Sequence, residues 1–312
     1  MNFIQLNVFR EVMESGSISQ TAKKLGRTQP AITLAIKNLE KSLDIKLFER
    51  SGRRLLPVPE ARYLLAEATE ILDRMSTVSE TMKSLRNAHS GSLVVAAMPG
   101  PSAFIFPRFV SDTMSENSDI RITFSSRSSP QIRELASTQS IDFGFADFDA
   151  PIGKTPQYHP DIVSAECFCA LHRDHPLAQN SRVAISDLDD EPMGSLHSNL
   201  PLTRKLAREF ESAGARFNIV NASQFFLPLM PFISSGHCCS IVDPLTVVTE
   251  RELDIGRGQI TFVPLQKPVR YEYAILTPLH RPLSQFASRI KDNWKEELLS
   301  MLESVNARPK QM

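Results

Sequence analysis

The residues best suited to chemistry lie in one basic stretch near the amino end. Gln29, Thr33, Leu34 and Lys37 follow Thr28, with Pro30 among them, and Arg50, Arg53 and Arg54 crowd the turn at Ser51-Gly52. An amide such as that of Gln29 can pair with an adenine edge, a Thr hydroxyl with either partner, and a methyl group can pack on thymine. Guanidinium groups grip phosphate, which gives affinity and salt dependence but carries no sequence information. Formal net charge is zero, with 35 Lys and Arg against 35 Asp and Glu, yet Lys23 to Arg54 holds nine basic residues (23, 24, 27, 37, 41, 46, 50, 53, 54) and three acids (Glu40, Asp44, Glu49). That stretch is therefore +6 and the rest of the chain −6, so the positive charge is concentrated around these side chains.

The elements that must position them can be read from apolar spacing. Phe3, Leu6, Val8, Phe9, Val12 and Met13 form one helical face that stops at Ser15-Gly16. Ser17 caps a short second helix with Ile18, Ala22 and Leu25 inward, and Gly26 ends it, since Gly accepts the left-handed conformation. Thr28 caps a third helix whose Pro30 fits the first turn, where a missing N–H costs nothing. Ala31, Ile32, Ala35, Ile36 and Leu39 turn inward, leaving Gln29, Thr33, Leu34 and Lys37 off that stripe to face a DNA groove; a helical hairpin with a solvated polar face is the alternative. The turn at Ser51-Gly52 between apolar arms then suggests a two-stranded wing.

The run TAKKLGRTQPAITLAIKNLEKSLDIKLFERSGRRLLPVPEA resembles the winged helix-turn-helix of the LysR-type transcriptional regulators. Three positions depart from the family pattern: Leu34 stands where a basic residue is common, Thr28 replaces the commoner Ser, and Ala61 stands where Gly is usual. The resemblance implies binding to double-stranded promoter DNA, control by a small-molecule effector, contact with RNA polymerase, and no cofactor. Thr28, Gln29, Pro30, Thr33, Leu34 and Lys37, with Arg50, Arg53 and Arg54, are the DNA-contacting candidates. With Leu34 apolar, base reading is expected to lean on Gln29 and Thr33.

Beyond the wing, Leu64, Ala68, Ile71, Met75, Val78, Met82 and Leu85 are spaced alternately four and three residues apart, a coiled-coil seam that a second copy would bury. Packing of this helix on its own chain is the competing arrangement. The resemblance implies the homodimer, with further assembly to a homotetramer. Asn87, Ser90 and Gly91 then read as a hinge.

From Gly91 the pattern changes to short buried strands alternating with helices. Strands are expected at Leu93–Met98, Ile120–Phe124, Ile141–Ala146, Ile162–Leu171, Phe217–Val220, Cys239–Val242 and Tyr271–Leu276, in βαβ units with a parallel sheet. Helices are expected near Ser102–Asn117, Pro130–Thr138, Asn199–Ala213, Gln224–Ser234 and Pro282–Leu302. The expected architecture is thus an all-α winged helix-turn-helix over 1–59, a linker helix over 60–90, and a two-lobed α/β effector domain over 91–312 resembling periplasmic binding proteins. One lobe takes about 91–161 and 267–312, the other about 162–266.

Open α/β sheets bind small ligands beyond the carboxyl ends of their strands. The effector candidates are therefore the loop residues Gly100, Ser102, Arg127, Ser128, Ser129, Asp147, Ser198, Asn199 and Asp243. Hydroxyls, helix-start N–H groups and Arg127 suit a carboxylate, and Asp147 or Asp243 an ammonium or guanidinium. Ile241–Thr246 resembles the branch that holds the lysine-biosynthesis activator and the opine-catabolism regulators, which implies an amino acid or a derivative such as an opine. The alternative is that Asp243 serves only as the cap of a helix opening at Pro244.

Other chemistries are weaker. Cys167, Cys169, His172 and His175 have ligand-like spacing, but both cysteines fall on one face of an expected strand, so core packing is favoured over metal. No nucleophile elbow, Walker loop or dinucleotide Gly signature occurs among twelve glycines, which argues against an enzyme. No apolar run of about 20 residues suggests a membrane span, and with no leader pattern the expectation is a cytoplasmic protein with reduced cysteines. An effector-independent DNA-binding repressor, or a binding protein or enzyme with a vestigial head, remain the alternatives.

Overall fold

The computed structural model describes residues 1–51, 54–86, 92–113, 121–149 and 155–312. The chain divides into two compact units, Met1–Arg86 and Asn87–Met312. The hinge expected at Asn87, Ser90 and Gly91 lies outside the described residues.

In the first unit, α1 (Phe3–Ser15) opens with a reciprocal cap. Asn2 accepts the Gln5 N–H at 3.0 Å, and the Gln5 side chain accepts the Asn2 N–H at 2.9 Å. Gly16 ends it at φ 65°, in the left-handed region that glycine tolerates. Ser17 caps α2 (Ile18–Lys24) and Thr28 caps α3 (Gln29–Leu43), each side chain accepting an N–H three residues on. The wing is an antiparallel pair, β1 (Phe48–Ser51) with β2 (Arg54–Pro57), in which Ser51 faces Arg54. Helix α4 (Pro59–Arg86) follows.

One core holds this unit together: Leu6, Phe9 and Val12 from α1, Ala22 from α2, Ile32, Ile36 and Leu39 from α3, and Leu47. Ala61 and Ala68 of α4 are fully buried in it, with Leu64, Leu65 and Leu72 packed against it. The front of the linker helix therefore packs into the same core as the three helices before it. Ala31, expected inward, is exposed.

The second unit is built on two mixed sheets. The chain runs through β3 (Ser92–Ala97), α5 (Pro99–Ala103), α6 (Ile105–Thr113), β4 (Arg121–Ser126), α7 (Ser129–Ser137), β5 (Phe143–Asp147) and β6 (Tyr158–Glu166). It crosses over and continues as β7 (Phe168–His172), β8 (Met193–Leu196), α8 (Pro201–Ser212), β9 (Ile219–Ser223), α9 (Met230–Ser234), β10 (Cys239–Val242), α10 (Pro244–Leu253) and β11 (Ile260–Pro264). It then returns through β12 (Arg270–Pro278), α11 (Gln285–Ser304) and β13 (Lys310–Gln311). The first sheet has the order β13-β6-β12-β5-β3-β4 and the second β11-β7-β10-β8-β9.

Among the described strands, β3 pairs in parallel with β4 and β5, and β8 with β9 and β10; β6, β7, β11, β12 and β13 run antiparallel to their neighbours. The wholly parallel sheet expected from the alternation is thus corrected. The stretch Ile162–Leu171 is two strands in different sheets, because the chain changes sheet at Cys167. The helix expected from Ser102 breaks at Phe104, and Ile120 lies outside the described residues. The first sheet's core centres on Trp294 of α11, whose ring lies 4.8 Å from Phe106 and 5.0 Å from Phe145, both edge-on.

Candidate functional site

Two surfaces carry the candidate chemistry, one in each unit. On α3 the buried positions are Ile32, Ile36 and Leu39. At 100° per residue the opposite face carries Pro30, Leu34, Lys37 and Asn38, all exposed. Leu34 sits at its middle, 59% exposed, and Gln29 is exposed at the helix start. Thr33 is half-buried at the edge of the stripe, which weakens the weight placed on it from the sequence. Asn38, an amide on the exposed face, was not singled out there; counting helical positions away from Ile32 and Ile36 would have found it.

The wing is tied to α3 by a carboxylate. Glu40 Oε1 accepts the N–H of Leu47 at 2.8 Å and of Phe48 at 3.3 Å, and Val58 N–H reaches Leu47 O at 3.0 Å. Phe48 packs on Phe9 with centroids 5.8 Å apart. Arg50 and Arg54 stand on the paired strands, while their side chains, like Arg53 as a whole, lie outside the described residues.

Helix α4 splits the expected seam. Ala68 is buried and Leu64 half-buried against the unit's own core, so these two positions do not offer a face to a second chain. Ile71, Met75, Val78 and Met82, spaced four, three and four, are 41% to 64% exposed. The Leu85 side chain is outside the described residues.

The second surface is a cleft at the carboxyl ends of the strands. Met98 to Pro101 follow β3, Ser128 and Ser129 follow β4, and Asp147 ends β5. From the other sheet come Leu196, Leu200, Gln224 to Leu227, Asp243, Leu245, Thr246 and Thr249, with Tyr271 from β12. Of the expected residues, Gly100, Ser128, Ser129, Asp147 and Asp243 are brought together here.

Four expected residues are not. The Ser102 hydroxyl is turned inward, donating to Pro99 O at 2.9 Å and meeting Ser126 Oγ at 2.8 Å. Arg127 is exposed and donates to Ser126 O. Ser198 and Asn199 lie in the exposed turn before α8, whose cap is Leu200. The cleft residues that sequence reading missed are chiefly apolar or aromatic, Leu196, Leu200, Phe225, Phe226 and Tyr271, together with Gln224; no local pattern distinguishes them from core.

Asp243 is a helix cap first. Its Oδ1 accepts the N–H of Leu245 at 3.0 Å, the N–H of Thr246 at 3.3 Å and the Tyr273 hydroxyl at 2.6 Å, and its Oδ2 accepts the Thr246 hydroxyl at 2.5 Å. Burial raises its pKa above the usual carboxylate range, against the opposing pull of these hydrogen bonds. Asp147 differs. It is 9% exposed, its N–H donates to Ser129 Oγ, and Arg133 Nη1 reaches its carbonyl at 3.0 Å and its Oδ1 at only 3.5 Å. The Tyr271 hydroxyl pKa is pushed well up, by burial first and then by the negative charge of Asp147 and Asp243.

The four cysteines are buried thiols, and burial raises the pKa of each. Cys167 lies at the crossing between β6 and β7, not on one strand face with Cys169 as expected. Among the described residues no helix is long and apolar enough to cross a membrane.

A capped reading helix with a wing, followed by a two-sheet unit with a cleft at its strand ends, defines a ligand-responsive DNA-binding regulator. Residues 3–62 match the model of bacterial regulatory helix-turn-helix proteins of the lysR family, and residues 86–298 match the LysR substrate binding domain. The chain belongs to the LysR family of bacterial transcriptional regulators. It is 29% identical over 297 residues to the regulatory protein NocR of Agrobacterium tumefaciens, covering 93% of this chain and 96% of that protein. It is 23% identical over 308 residues to the transcriptional activator protein LysR of Escherichia coli, covering 98% and 96%. A partial match, 29% identical over 147 residues and covering 47% and 49%, is to the octopine catabolism/uptake operon regulatory protein OccR of Rhizobium meliloti. Full-length CbnR solved with its target DNA shares the fold, with a TM-score of 0.69 at 19% identity over 95% of this chain and 99% of that one.

Proposed function

We propose that this regulator is switched by an amino acid or an amino-acid derivative such as an opine, held in the cleft between the two sheets. The observation that carries the reading is the cleft itself, at the carboxyl ends of strands from both sheets, apolar over much of its wall and with Ser128, Ser129, Asp147 and Gln224 among its polar points. The similarity over part of the chain to the octopine catabolism/uptake operon regulatory protein supports the same ligand class. Thr28, Gln29, Pro30, Thr33, Leu34 and Lys37 face the DNA groove, with base reading leaning on Gln29 and Thr33, while Lys37 and the wing residues Arg50, Arg53 and Arg54 grip the backbone. Two copies join through Ile71, Met75, Val78 and Met82, and such dimers pair again into a homotetramer on promoter DNA beside RNA polymerase. A ligand that prefers one arrangement of the two sheets shifts the population of DNA-competent assemblies by no more than its differential affinity for them.

The test couples both ends. The full-length protein is used to enrich double-stranded DNA from a random pool, and its melting is followed against amino acids and opines. A ligand that raises the melting temperature binds the folded protein; as the effector it must also change DNA affinity, and by linkage bound DNA then changes ligand affinity by the same factor. Retention of DNA with no melting shift across the panel would sink the effector reading.

A further inference from the structure

Helix α3 turns an apolar patch away from the core that holds its other side. Of its large apolar residues, Ile32, Ile36 and Leu39 are buried and Leu43 is half-buried, whereas Leu34 is 59% exposed. Successive residues advance by about 100°, so Pro30, Ala31, Lys37, Asn38 and Lys41 all lie within about 60° of Leu34 around the axis. All of these are exposed. Pro30 and Ala31 are the neighbours of Leu34 one turn earlier, and together the three side chains make a continuous apolar surface on the first two turns. Lys37, Asn38 and Lys41 follow on the later turns. No carboxylate stands on this face, since Glu40 lies on another side with its Oε1 accepting the Leu47 and Phe48 N–H groups. Thr33 and Gln29 lie off to one side of the patch.

Solitary exposed leucines are common on protein surfaces and need no explanation. Leu34 is not solitary, and it lies on the reading helix of a segment, residues 3–62, that matches the lysR-family helix-turn-helix. The cations beside the patch suit a polyanion. A major groove, however, offers such a patch little to bond. Guanine shows two acceptors there, cytosine a donor, adenine an acceptor and a donor, and thymine an acceptor beside its 5-methyl group. The side chains of leucine, alanine and proline supply neither donor nor acceptor. Pressed on a guanine, cytosine or adenine edge, they strip water from polar atoms and return nothing. Only the thymine methyl turns that contact into a gain, because apolar surface is then removed from water on both sides.

We propose that Leu34, backed by Ala31 and Pro30, reads the 5-methyl group of a thymine in the DNA sequence that this protein selects, which makes it a specificity-determining residue. The assignment rests on α3 being the helix that enters the groove, and it adds an apolar reader to the polar ones on the same helix. What is recognised is the methyl and its strand, not an A·T pair as such, since adenine in the same place presents only polar atoms. Deoxyuridine keeps the thymine acceptor and lacks the methyl, cytosine replaces the acceptor with a donor, and 5-methylcytosine restores the methyl beside that donor. Affinity at this base is therefore highest for thymine and lowest for cytosine, with deoxyuridine and 5-methylcytosine between them.

The experiment uses the full-length protein and a duplex enriched from the random pool. Each thymine of the enriched sequence is replaced in turn by deoxyuridine, and affinities are compared at one salt concentration. At the thymine beneath Leu34 the loss is expected to be about fourfold, the worth of one buried carbon, and thymines outside the enriched sequence should show none. Leu34→Ala should lose most of that penalty while keeping the parent's melting temperature and its affinity for random DNA, since the side chain is 59% exposed. Leu34→Arg should enrich guanine at the same position in a fresh selection, because a guanidinium pairs with guanine O6 and N7. With cytosine placed there, methylation at C5 should tighten binding about fourfold without reaching the thymine duplex. The proposal is overturned if no deoxyuridine costs affinity, if the penalty is as large in Leu34→Ala as in the parent, or if 5-methylcytosine either gains nothing over cytosine or binds better than thymine. Gln29→Ala separates this failure from that of the groove reading. If Gln29→Ala changes the enriched sequence and Leu34→Ala does not, α3 enters the groove and only the methyl assignment falls. If neither changes it, or no sequence is enriched, both fall.

Discussion

Substituting Asp243 by Ala separates a cap from a ligand contact without any ligand present. The side chain accepts two N–H groups at the start of α10, the Thr246 hydroxyl and the Tyr273 hydroxyl. Losing an N-cap costs about 1–2 kcal/mol. Stranding the Tyr273 hydroxyl, on a fully buried residue, costs about 1–3 kcal/mol more. Removing a buried carboxylate whose pKa is raised by burial offsets part of this, leaving a net loss of about 2–4 kcal/mol. For a unit of this size, about 2–4 °C of melting temperature follow each kcal/mol, so about 3 kcal/mol lowers the transition by about 6–12 °C. Asp243→Asn keeps an acceptor for the Leu245 and Thr246 N–H groups and should lose much less. Scanning calorimetry on Asp243→Ala, Tyr273→Phe and the double variant closes the cycle, with a coupling of about 1–3 kcal/mol expected for partners 2.6 Å apart. A drop of less than about 2 °C for Asp243→Ala, or strict additivity of the two changes, would refute the argument.

Other outcomes follow from the same geometry. Glu250 is buried, one carboxylate oxygen accepting Gly256 N–H and the other unpartnered, and burial raises its pKa. The folded chain therefore holds that proton to higher pH than the unfolded chain, so its contribution to stability is greatest below the ordinary carboxylate range and is lost as pH rises through the raised value. Glu250→Gln should melt progressively higher relative to the parent as pH increases from 4 to 7, and a constant difference would count against it. Replacing Arg50, Arg53 and Arg54 together by Ala should weaken binding to all DNA sequences and reduce the log–log salt slope by about 2–3; an unchanged slope removes them from the phosphate contact. Met75→Glu with Val78→Glu puts charge on two half-exposed seam positions, each carrying about 0.7–1.5 kcal/mol of remaining burial per copy, and sedimentation should show dissociation toward monomer. An unchanged mass would place the subunit contact elsewhere.

The sequence determined those features whose cause is local. Thr28 and Pro30 start α3, Gly16 ends α1, and the period-3.6 stripe of Ile32, Ile36 and Leu39 names the buried face, because caps and helical periodicity act within a few residues. Short buried strands after residue 91 were legible for the same reason. Tertiary structure decided what depends on partners distant in the chain. Ala68 and Leu64 belong to the same spacing as Met75 and Val78, yet only the presence of α1 decides that the first pair packs inward and the second stays exposed. Continuity of apolar residues cannot show that Ile162 to Leu171 changes sheet at Cys167, since pairing with β12 on one side and with β10 and β11 on the other is non-local.

The cleft divides in the same way. Gly100, Ser128, Ser129, Asp147 and Asp243 were recoverable as strand-end and helix-start residues, because each sits at a turn that its own neighbours announce. Tyr271 sits on a strand and Gln224 on a loop from the other sheet, and no spacing links them to Asp147. Whether a carboxylate is saturated by hydrogen bonds, as at Asp243, or paired with a guanidinium, as at Asp147, depends on side chains 30 and 14 residues away, Tyr273 and Arg133. Residue type supplies the charge, and only the fold decides which charges face each other across a space a ligand can fill.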